Sequence, residues 1–367
     1  MAIALRPKLL IADEPTTALD VTTQDTILDL LKDLVDDFGM GLLMITHDLA
    51  VVADMADRIV VMKKGEVVEQ GNTQTLLHTM QHPYTKALFA ASGHQVSLPP
   101  KPESAPLLHV QNVTRTYKTP RKSPFSSPGT FTAVDNVSFT LNRGDRLGLV
   151  GESGCGKSTL TRAILGLDPI QGGSITLDGQ QITDNRTTRR KLQVVFQDPY
   201  GSFNPRHTVD RLITEPFHLL DAPPQGADRQ DTIATALTDV GLSPSDATKY
   251  IHEFSGGQRQ RIAIARALIT SPDLIIFDEA VSALDVSVRA QILDLLAALC
   301  KKRNLSYLFI SHDLSVVRTI TDHVLVMRQG KIVEQGPTEQ VFQNPAHPYT
   351  QSLLAAAPVL PDLEMEH

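Results

Sequence analysis

The sequence predicts an α/β fold in which buried parallel strands alternate with helices. Short apolar runs at 146–150 and 274–277 end in glycine or acidic residues, as strands buried on both faces of a parallel sheet do. Apolar residues at helical spacing, from Val288 to Leu299, follow the second run. Strands that alternate with helices along one chain are the pattern of an α/β domain.

A repeat divides the 367 residues into two related parts. Three motifs recur at a constant offset of 265 residues (278 − 13). They are Asp13-Glu14 and Asp278-Glu279, Thr46-His47-Asp48 and Ser311-His312-Asp313, and His82-Pro83-Tyr84-Thr85 and His347-Pro348-Tyr349-Thr350. Chance matches would not keep this register, so residues 1–93 are expected to copy residues 266–358. The sequence therefore predicts an incomplete first domain at 1–93 and a complete second domain at 107–367.

The stretch between the two domains is rich in proline. Residues 94–106 carry four prolines, a composition that favours extended chain, and are predicted to be a linker. A second stretch rich in proline and serine, Lys118–Pro128, is predicted to be a surface loop. It separates two alternating segments, 107–117 and 132–141, which are predicted to be half-buried strands.

Composition excludes several classes of protein. Apolar residues make up 41% and charged residues 20%, which is typical of a globular protein with a packed core. The 34 Lys and Arg against 41 Asp and Glu give a net charge of −7, which opposes binding to nucleic acid. The two cysteines, Cys155 and Cys300, cannot form a disulfide framework and lack the paired spacing of a metal site. No apolar run approaches the ~20 residues that span a bilayer.

A glycine-rich segment at 151–158 fits the phosphate-loop pattern, since it follows a predicted buried strand and precedes a predicted helix. Glycines allow backbone N–H groups to face phosphate oxygens, Lys157 would reach the β- and γ-phosphates, and the Ser158 hydroxyl would bind Mg²⁺. A purely structural glycine-rich turn would not require the Lys-Ser pair. The candidate nucleotide-binding residues are Gly151, Glu152, Ser153, Gly154, Cys155, Gly156, Lys157, Ser158 and Thr159.

Further motifs follow the phosphate loop in a fixed order. Asp278 ends a predicted strand and is placed to hold Mg²⁺ through water, and Glu279 beside it is placed to act as a general base. The segment 254–261 lies upstream of this pair, and Ser282-Ala283-Leu284-Asp285 and then His312 lie downstream. This order resembles that of the ATP-binding-cassette (ABC) ATPase family, in which signature, Walker B strand, D-loop and switch histidine follow one another.

The resemblance implies further site residues. Gln197 looks like the glutamine that contacts Mg²⁺ and senses the γ-phosphate, and Tyr117 looks like the aromatic residue that stacks on adenine, with ordinary packing as its alternative. His312 looks like the switch histidine, with capping of the following helix as its alternative. The implied catalytic residues are Glu279, His312 and Gln197, and the implied Mg²⁺ ligands are Ser158, Gln197 and Asp278. The implied ATP contacts from the signature and D-loop are Ser255, Gly256, Gly257, Gln258 and Asp285.

Three features resemble the ATPase subunits of bacterial peptide importers, which serve dipeptide, oligopeptide, nickel and glutathione systems. They are the stretch 197–206, the signature and the repeated His-Pro-Tyr-Thr motif. Two cassettes in one chain look most like the fused subunit of the glutathione type. The resemblance implies a P-loop cassette with a helical subdomain at about 200–260, which binds ATP and Mg²⁺ on the cytoplasmic face of the inner membrane.

The implied partners are membrane permeases, a substrate-binding protein and a second cassette from an identical chain or a full-length partner. Pro358–His367 contains no cysteine, so no iron–sulfur cluster is expected. Two alternatives stay open. One is a soluble twin-cassette ATPase of translation or DNA repair, and the other is a truncated or wrongly started fragment, since residues 1–93 lack a phosphate loop and a signature of their own. The first copy is therefore expected to expose apolar surface.

Overall fold

The computed structural model describes residues 3–16, 19–101, 104–120, 129–182, 185–198 and 201–358. The chain forms two compact units, one of residues 1–95 with 284–291 and 352–367, the other of residues 96–283 with 292–351. No helix within the described ranges has the length and apolar character needed to cross a membrane.

Four sequence predictions fall wholly or partly outside the described residues. They concern Pro102 of the linker, positions 121–128 of the surface loop Lys118–Pro128, Pro199 and Tyr200 of the stretch 197–206, and positions 359–367 of the cysteine-free tail.

In the parts of the first copy that the structure describes, there are four strands and four helices. They are β1 (Leu9–Asp13), α1 (Val21–Phe38), β2 (Gly41–Ile45), α2 (Leu49–Met55), β3 (Arg58–Lys63), β4 (Glu66–Asn72), α3 (Thr73–Thr79) and α4 (Pro83–Ser92). Helix α1 begins at the N-cap Asp20, which accepts the N–H of Thr23, and ends at Gly39 in a left-handed conformation. Strands β1 and β2 pair in parallel, and β3 and β4 form an antiparallel hairpin.

The second copy has ten strands and nine helices among the described residues. They are β5 (Pro106–Lys118), β6 (Thr130–Asn142), β7 (Arg146–Val150), α5 (Lys157–Ile164), β8 (Gly172–Leu177), β9 (Gln180–Gln181), α6 (Arg186–Lys191), β10 (Leu192–Phe196), α7 (Val209–Ile213), α8 (Gly226–Asp239), α9 (Gly256–Leu268), β11 (Leu274–Asp278), α10 (Val286–Arg303), β12 (Ser306–Ile310), α11 (Leu314–Ile320), β13 (His323–Arg328), β14 (Lys331–Pro337), α12 (Thr338–Gln343) and α13 (Pro348–Ala355).

A six-stranded sheet organises the second copy, with the strand order β10-β11-β12-β7-β13-β14. Its pairs are parallel except for the antiparallel hairpin β13–β14. A second, antiparallel sheet has the order β6-β5-β8-β9. One hydrophobic core includes side chains from both sheets and from α5. The runs at 146–150 and 274–277 are thus parallel strands buried on both faces, as predicted from their continuous apolar character.

Between β10 and β11 the chain is mainly helical. It contains α7, α8 and α9, with short 3₁₀ helices at Glu215–Leu219, Pro244–Thr248 and Ile251–Glu253. Apolar side chains of α7 and α8 are buried, among them Val209, Leu212 and Leu237. This segment corresponds to the predicted helical insertion at about 200–260.

The predicted repeat has a structural counterpart, because the elements from β1 to β4 recur in type and order from β11 to β14. The surroundings of equivalent residues nevertheless differ. Ile11 is 60% exposed and its equivalent Ile276 is fully buried, and the same contrast separates Met62 (56%) from Met327 (0%). In the second copy these positions belong to the core that residues 107–192 help to form, and residues 1–93 contain no counterpart of that segment.

Part of the predicted linker is attached to the second unit. The Arg146 guanidinium donates to the carbonyl oxygen of Pro99 (2.7 Å), and Lys101 pairs with Asp145 (2.8 Å). The Ser104 hydroxyl donates to the carbonyl of Arg143. Residues 94–101 and 104–105 have no regular secondary structure, but these contacts hold the later part of the linker in place.

Candidate functional site

The phosphate loop (151–158) connects β7 to α5 and is closely packed at two glycines. Gly151 has φ 149° and Gly156 has φ 114°, in a region that side-chain-bearing residues rarely adopt. A Cβ atom at Gly151 would overlap the carbonyl oxygen of Met327, and one at Gly156 would overlap that of Ala133. Strand β13 and the residues of β6 around Ala133 therefore restrict these two positions to glycine.

Lys157 begins α5 and is buried against its own loop. Its Nζ atom donates to the carbonyl oxygens of Gly151 (2.6 Å) and Glu152 (2.9 Å). Ser158, next in the helix, is exposed, and Thr159 is half-buried. The loop thus places the Lys157 ammonium group at the start of a helix, where backbone N–H groups also attract anions. Such an arrangement can bind phosphate.

The register of the central sheet brings several predicted residues to one edge. Phe196 of β10 lies opposite Asp278 of β11, which in turn lies opposite Ile310 of β12. Ile310 lies opposite Leu149 of β7, one residue before the strand end. Residues that follow these strands therefore share the carboxyl edge of the sheet, where ligands bind in open α/β folds. The residues so placed are Gln197, Glu279, His312 and the phosphate loop.

Glu279 and His312 contact each other at this edge. The His312 Nδ1 atom lies 2.6 Å from Glu279 Oε2, and the Glu279 N–H donates to the carbonyl of Ile310 (2.9 Å). Glu279 has φ 54°, an uncommon backbone conformation for a residue with a side chain. Burial lowers the pKa of His312, but the close contact and negative charge of Glu279, with the charge of Asp313, raise it above its usual value overall.

The alternative function of His312 as a helix cap is wrong. Helix α11 begins after Asp313, whose carboxylate accepts the N–H groups of Ser315 (3.0 Å) and Val316 (3.3 Å). Asp313 is therefore the N-cap of α11, and the His312 side chain contacts Glu279 instead.

The environment of Asp278 raises the pKa of its carboxyl group to about 6. Burial is the largest cause, the neighbouring negative charge of Glu279 adds to it, and the positive charge of Lys157 opposes both. Both acidic groups thus stand within electrostatic reach of one another and of the phosphate loop. A raised pKa in a cleft is typical of functional carboxylates.

The signature (255–258) forms the N-terminal cap of α9. The Ser255 hydroxyl accepts the N–H of Gln258 (3.4 Å), and the Gln258 side chain accepts the N–H of Ser255 (3.0 Å), a capping box. Ser255, Gly256 and Gln258 are exposed, whereas Gly257 is buried. The cap therefore fixes the first turn of the helix and leaves most of the signature accessible to solvent.

The remaining predicted residues have separate local contacts. Gln197 follows β10 and is exposed. The Asp285 carboxylate accepts from the Ser287 hydroxyl (2.8 Å) and the Val288 N–H (3.0 Å) near the start of α10.

Tyr117 is half-buried, with its hydroxyl donating to Asp168 (3.1 Å) and the Arg115 guanidinium 4.4 Å from its ring centroid. Arg162 also binds the Asp168 carboxylate (2.9 Å). Tyr117 thus has packing partners of its own.

Two features of the phosphate loop were not predicted. Burial raises the pKa of the Cys155 thiol, and this side chain is buried within the loop. The Glu152 N–H donates to the hydroxyl of Tyr349 (3.0 Å), which lies 197 residues away in the chain. The repeat of His-Pro-Tyr-Thr marked Tyr349 as a residue of interest, but no sequence signal connects it to the loop.

The fold and this edge of the sheet define a class, the P-loop nucleotide-binding cassette. Residues 134–282 match the family model described as ABC transporter. Residues 68–96 and 333–365 match the model described as oligopeptide/dipeptide transporter, C-terminal region. Residues 134–282 thus belong to the ABC transporter family.

Similar proteins and structures agree with this assignment. The chain is 47% identical over 392 aligned residues to the glutathione import ATP-binding protein GsiA of Escherichia coli strain K12, and 46% identical to that of Salmonella paratyphi A. Each match covers 98% of this chain and 62% of the relative, so the chain spans under two thirds of the length of these proteins.

Solved structures of cassettes are also similar. The structure of cbiO1 from Clostridium perfringens, part of an ABC transporter complex, matches with a TM-score of 0.57 and 26% identity, over 66% of this chain and 92% of that one. The dimeric, post-hydrolysis structure of the cassette MJ0796 with ADP and Pi matches with a TM-score of 0.55 and 26% identity, over 63% of this chain and 99% of that one.

Proposed function

We propose that this chain is the ATP-binding subunit of an ABC importer and that its second domain, 107–367, hydrolyses ATP to drive uptake of peptides. The observation that carries the proposal is the contact of Glu279 with His312 at the sheet edge that also holds the phosphate loop. Relatives of high identity are named glutathione import ATP-binding proteins, which supports a peptide of the glutathione, dipeptide or oligopeptide type as the substrate.

In this proposal the phosphate loop binds ATP. Residues Gly151 to Thr159 surround the phosphates with backbone N–H groups, and Lys157 exchanges its contacts with loop carbonyls for contacts with phosphate oxygens. Tyr117 packs beside the adenine from the end of β5. The signature residues Ser255 to Gln258, of which all but Gly257 are exposed, contact the nucleotide of a neighbouring cassette together with Asp285.

Hydrolysis requires a base that is held in position. Glu279 accepts a proton from the attacking water, and His312 orients the Glu279 carboxylate through its Nδ1 contact. Gln197, which follows the neighbouring strand, contributes an amide at the same edge. Glu279 has a positive φ of 54°, and uncommon backbone conformations of this kind cluster at functional sites.

The predicted Mg²⁺ ligands fit a magnesium ion chemically. Ser158, Gln197 and Asp278 offer hydroxyl, amide and carboxylate oxygens, the donors that this hard cation prefers. Burial and the negative charge of Glu279 raise the pKa of Asp278. A cation bound beside this carboxylate would oppose both effects. Ser158, Gln197 and Asp278 would hold the ion, which would supply positive charge to offset the negative charge that develops on the phosphates during hydrolysis.

The partners in this proposal are membrane permeases, a substrate-binding protein and a second cassette. The exposed signature supports a second cassette, because its polar cap faces solvent in the single chain. A related cassette has been solved as a dimer with ADP and Pi. The chain would then act at the cytoplasmic face of the inner membrane as a peripheral subunit.

Three variants test the ATPase function. Lys157→Ala is expected to abolish ATP binding, because it removes the cation of the loop. Glu279→Gln is expected to bind ATP normally and to lower turnover about 10² to 10⁴-fold, the usual contribution of a positioned base. Equilibrium nucleotide binding and steady-state phosphate release measure the two effects separately.

Glu14→Gln is the matched control, since Glu14 contacts His47 (3.1 Å) as Glu279 contacts His312 but belongs to a copy without a phosphate loop. Its turnover should stay within about 2-fold of the unmodified chain. Undiminished turnover in Glu279→Gln, or an equal loss in Glu14→Gln, would remove the assignment of the base.

A further inference from the structure

The His-Pro-Tyr-Thr segment of the second copy (347–350, the HPYT turn) follows α12 and forms the start of α13. The Glu334 carboxylate accepts the N–H groups of Ala346 (2.8 Å) and His347 (3.1 Å). The His347 Nδ1 atom accepts the N–H of Tyr349 (3.1 Å) and caps the helix, which has Pro348 as its first residue. The turn therefore fixes the position of the Tyr349 backbone, from which the side chain extends.

Tyr349 is buried and held from two sides. The guanidinium of Arg328 lies 4.7 Å from the centroid of its ring, in the range of a cation–π contact. Its hydroxyl accepts the N–H of Glu152, the second residue of the phosphate loop, at 3.0 Å. Burial raises the pKa of Tyr349 to about 12, so the hydroxyl stays protonated at neutral pH.

A neighbouring hairpin holds the same loop at a second point. The Gly330 N–H, between β13 and β14, donates to the carbonyl of Cys155 (2.8 Å). The carbonyl of Gly330 accepts the N–H of Asp135 (2.8 Å), which connects this hairpin to β6. The chain beyond β12 thus contacts the phosphate loop at Glu152 and at Cys155.

The first copy contains the same turn without a loop to contact. The Glu69 carboxylate accepts the N–H groups of Gln81 (2.8 Å) and His82 (3.2 Å), and His82 accepts the N–H of Tyr84 (3.1 Å). The Lys63 ammonium lies 4.6 Å from the ring centroid of Tyr84, in the place that Arg328 has in the second copy. Tyr84 is only half-buried. The turn forms in both copies, so its fold does not depend on the bond from Tyr to a phosphate loop.

We propose that Tyr349 is a positioning residue for nucleotide binding. Its hydroxyl holds the Glu152 N–H and thereby fixes the first part of the phosphate loop in one conformation before ATP arrives. A loop that is already ordered loses less conformational entropy when it binds a ligand, so the bond increases affinity for the nucleotide. This inference rests on the proposed function, namely that the loop binds ATP.

The test compares Tyr349→Phe with Tyr84→Phe, which remove the same atom from equivalent turns. Tyr349→Phe is expected to raise the Kd for ATP roughly 3- to 10-fold, the effect of one hydrogen bond. Amide hydrogen exchange in residues 151–156, measured without nucleotide, should accelerate in Tyr349→Phe alone. Turnover at saturating ATP should change less than about 2-fold, because the hydroxyl contacts neither Glu279 nor His312.

Lys157→Ala separates failure of this inference from failure of the proposed function. If Lys157→Ala keeps the Kd of the unmodified chain, the loop does not bind ATP and the proposed function is wrong. If Lys157→Ala loses binding while Tyr349→Phe changes neither the Kd nor the exchange of 151–156, the positioning role of Tyr349 is overturned. Equal changes in Tyr349→Phe and Tyr84→Phe would overturn it as well.

Discussion

At the residue scale, the carboxyl group of Asp278 costs the folded chain free energy at neutral pH. Its pKa is raised from 3.8 to about 6, so the native state binds this proton more tightly than the unfolded state does. Stability therefore falls as pH rises from about 4 to about 6, and the whole cost is present above that range. A cost of this kind at a site edge is consistent with a group retained for function.

Replacing this carboxylate by a neutral group of the same shape should stabilise the chain. Asp278→Asn is expected to raise the free energy of unfolding at pH 7.5 by up to about 3 kcal/mol, which corresponds to a shift of about two pKa units. The gain should shrink to about half at pH 5, where the native carboxyl is largely protonated. Denaturant unfolding with chelator and without nucleotide measures it. A variant less stable than the unmodified chain at pH 7.5 would refute this reading of Asp278.

The sequence predicts Glu279 and His312 as site residues, because both follow apolar strands and both recur at the same offset. Their contact could not be predicted, since it depends on the parallel register of β11 and β12. The cap of α11 was also undecided in the sequence, where His312 and Asp313 are adjacent. The geometry of the cap requires a side-chain oxygen that reaches the N–H groups two and three residues on, and Asp313 meets that requirement.

At the element scale, two nearly equivalent sets of strands have different surroundings. Residues on β1, β2 and β3 that correspond to buried core residues of the second copy are about half exposed. The exposed side chains are Leu9, Ile11, Leu43, Ile45, Val60 and Met62, and their buried counterparts are Leu274, Ile276, Leu308, Ile310, Leu325 and Met327. The same apolar pattern thus builds a core in one copy and an uncovered face in the other.

This contrast predicts that the same substitution has a large effect on stability in one copy and almost none in the other. Ile276→Thr is expected to lower the stability of the second copy by about 2 to 4 kcal/mol, since it removes buried apolar volume and buries a hydroxyl. Ile11→Thr should change stability by no more than about 0.5 kcal/mol, as is usual for exposed positions. Denaturant unfolding of both variants provides the comparison. A large loss of stability in Ile11→Thr would mean that the face of β1 is covered in solution.

Element boundaries of the second copy could be anticipated where periodicity and glycine coincide, as at β7 and the start of α5. The contact of α13 with the phosphate loop could not be anticipated, because Tyr349 and Glu152 are 197 residues apart. The phosphate-loop pattern specifies only the glycines, Lys157 and Ser158, and Glu152 occupies one of its variable positions. Contacts at such separation depend on the strand order, in which β13 lies beside β7. That order is not encoded in any local motif.

At the scale of the whole molecule, the two copies contain different numbers of the predicted ATPase motifs. Residues 1–93 contain Glu14 and His47 in contact (3.1 Å) but neither a phosphate loop nor a Ser-Gly-Gly signature. The second copy contains all of these motifs, and its signature is largely exposed. Within these 367 residues the Ser255-Gly256-Gly257 signature occurs once, so we propose that ATP bound at Lys157 meets the signature of another cassette.

The central claim is that the second copy is an ATPase that needs the signature of another cassette, and specific activity of the purified 367-residue chain across dilution tests it most directly. Activity per molecule should rise with concentration and follow the fraction of dimer, measured as mass in solution with Glu279→Gln and Mg-ATP. Lys157→Ala should be inactive throughout. Activity per molecule that stays constant at concentrations where only monomer is present would contradict the claim.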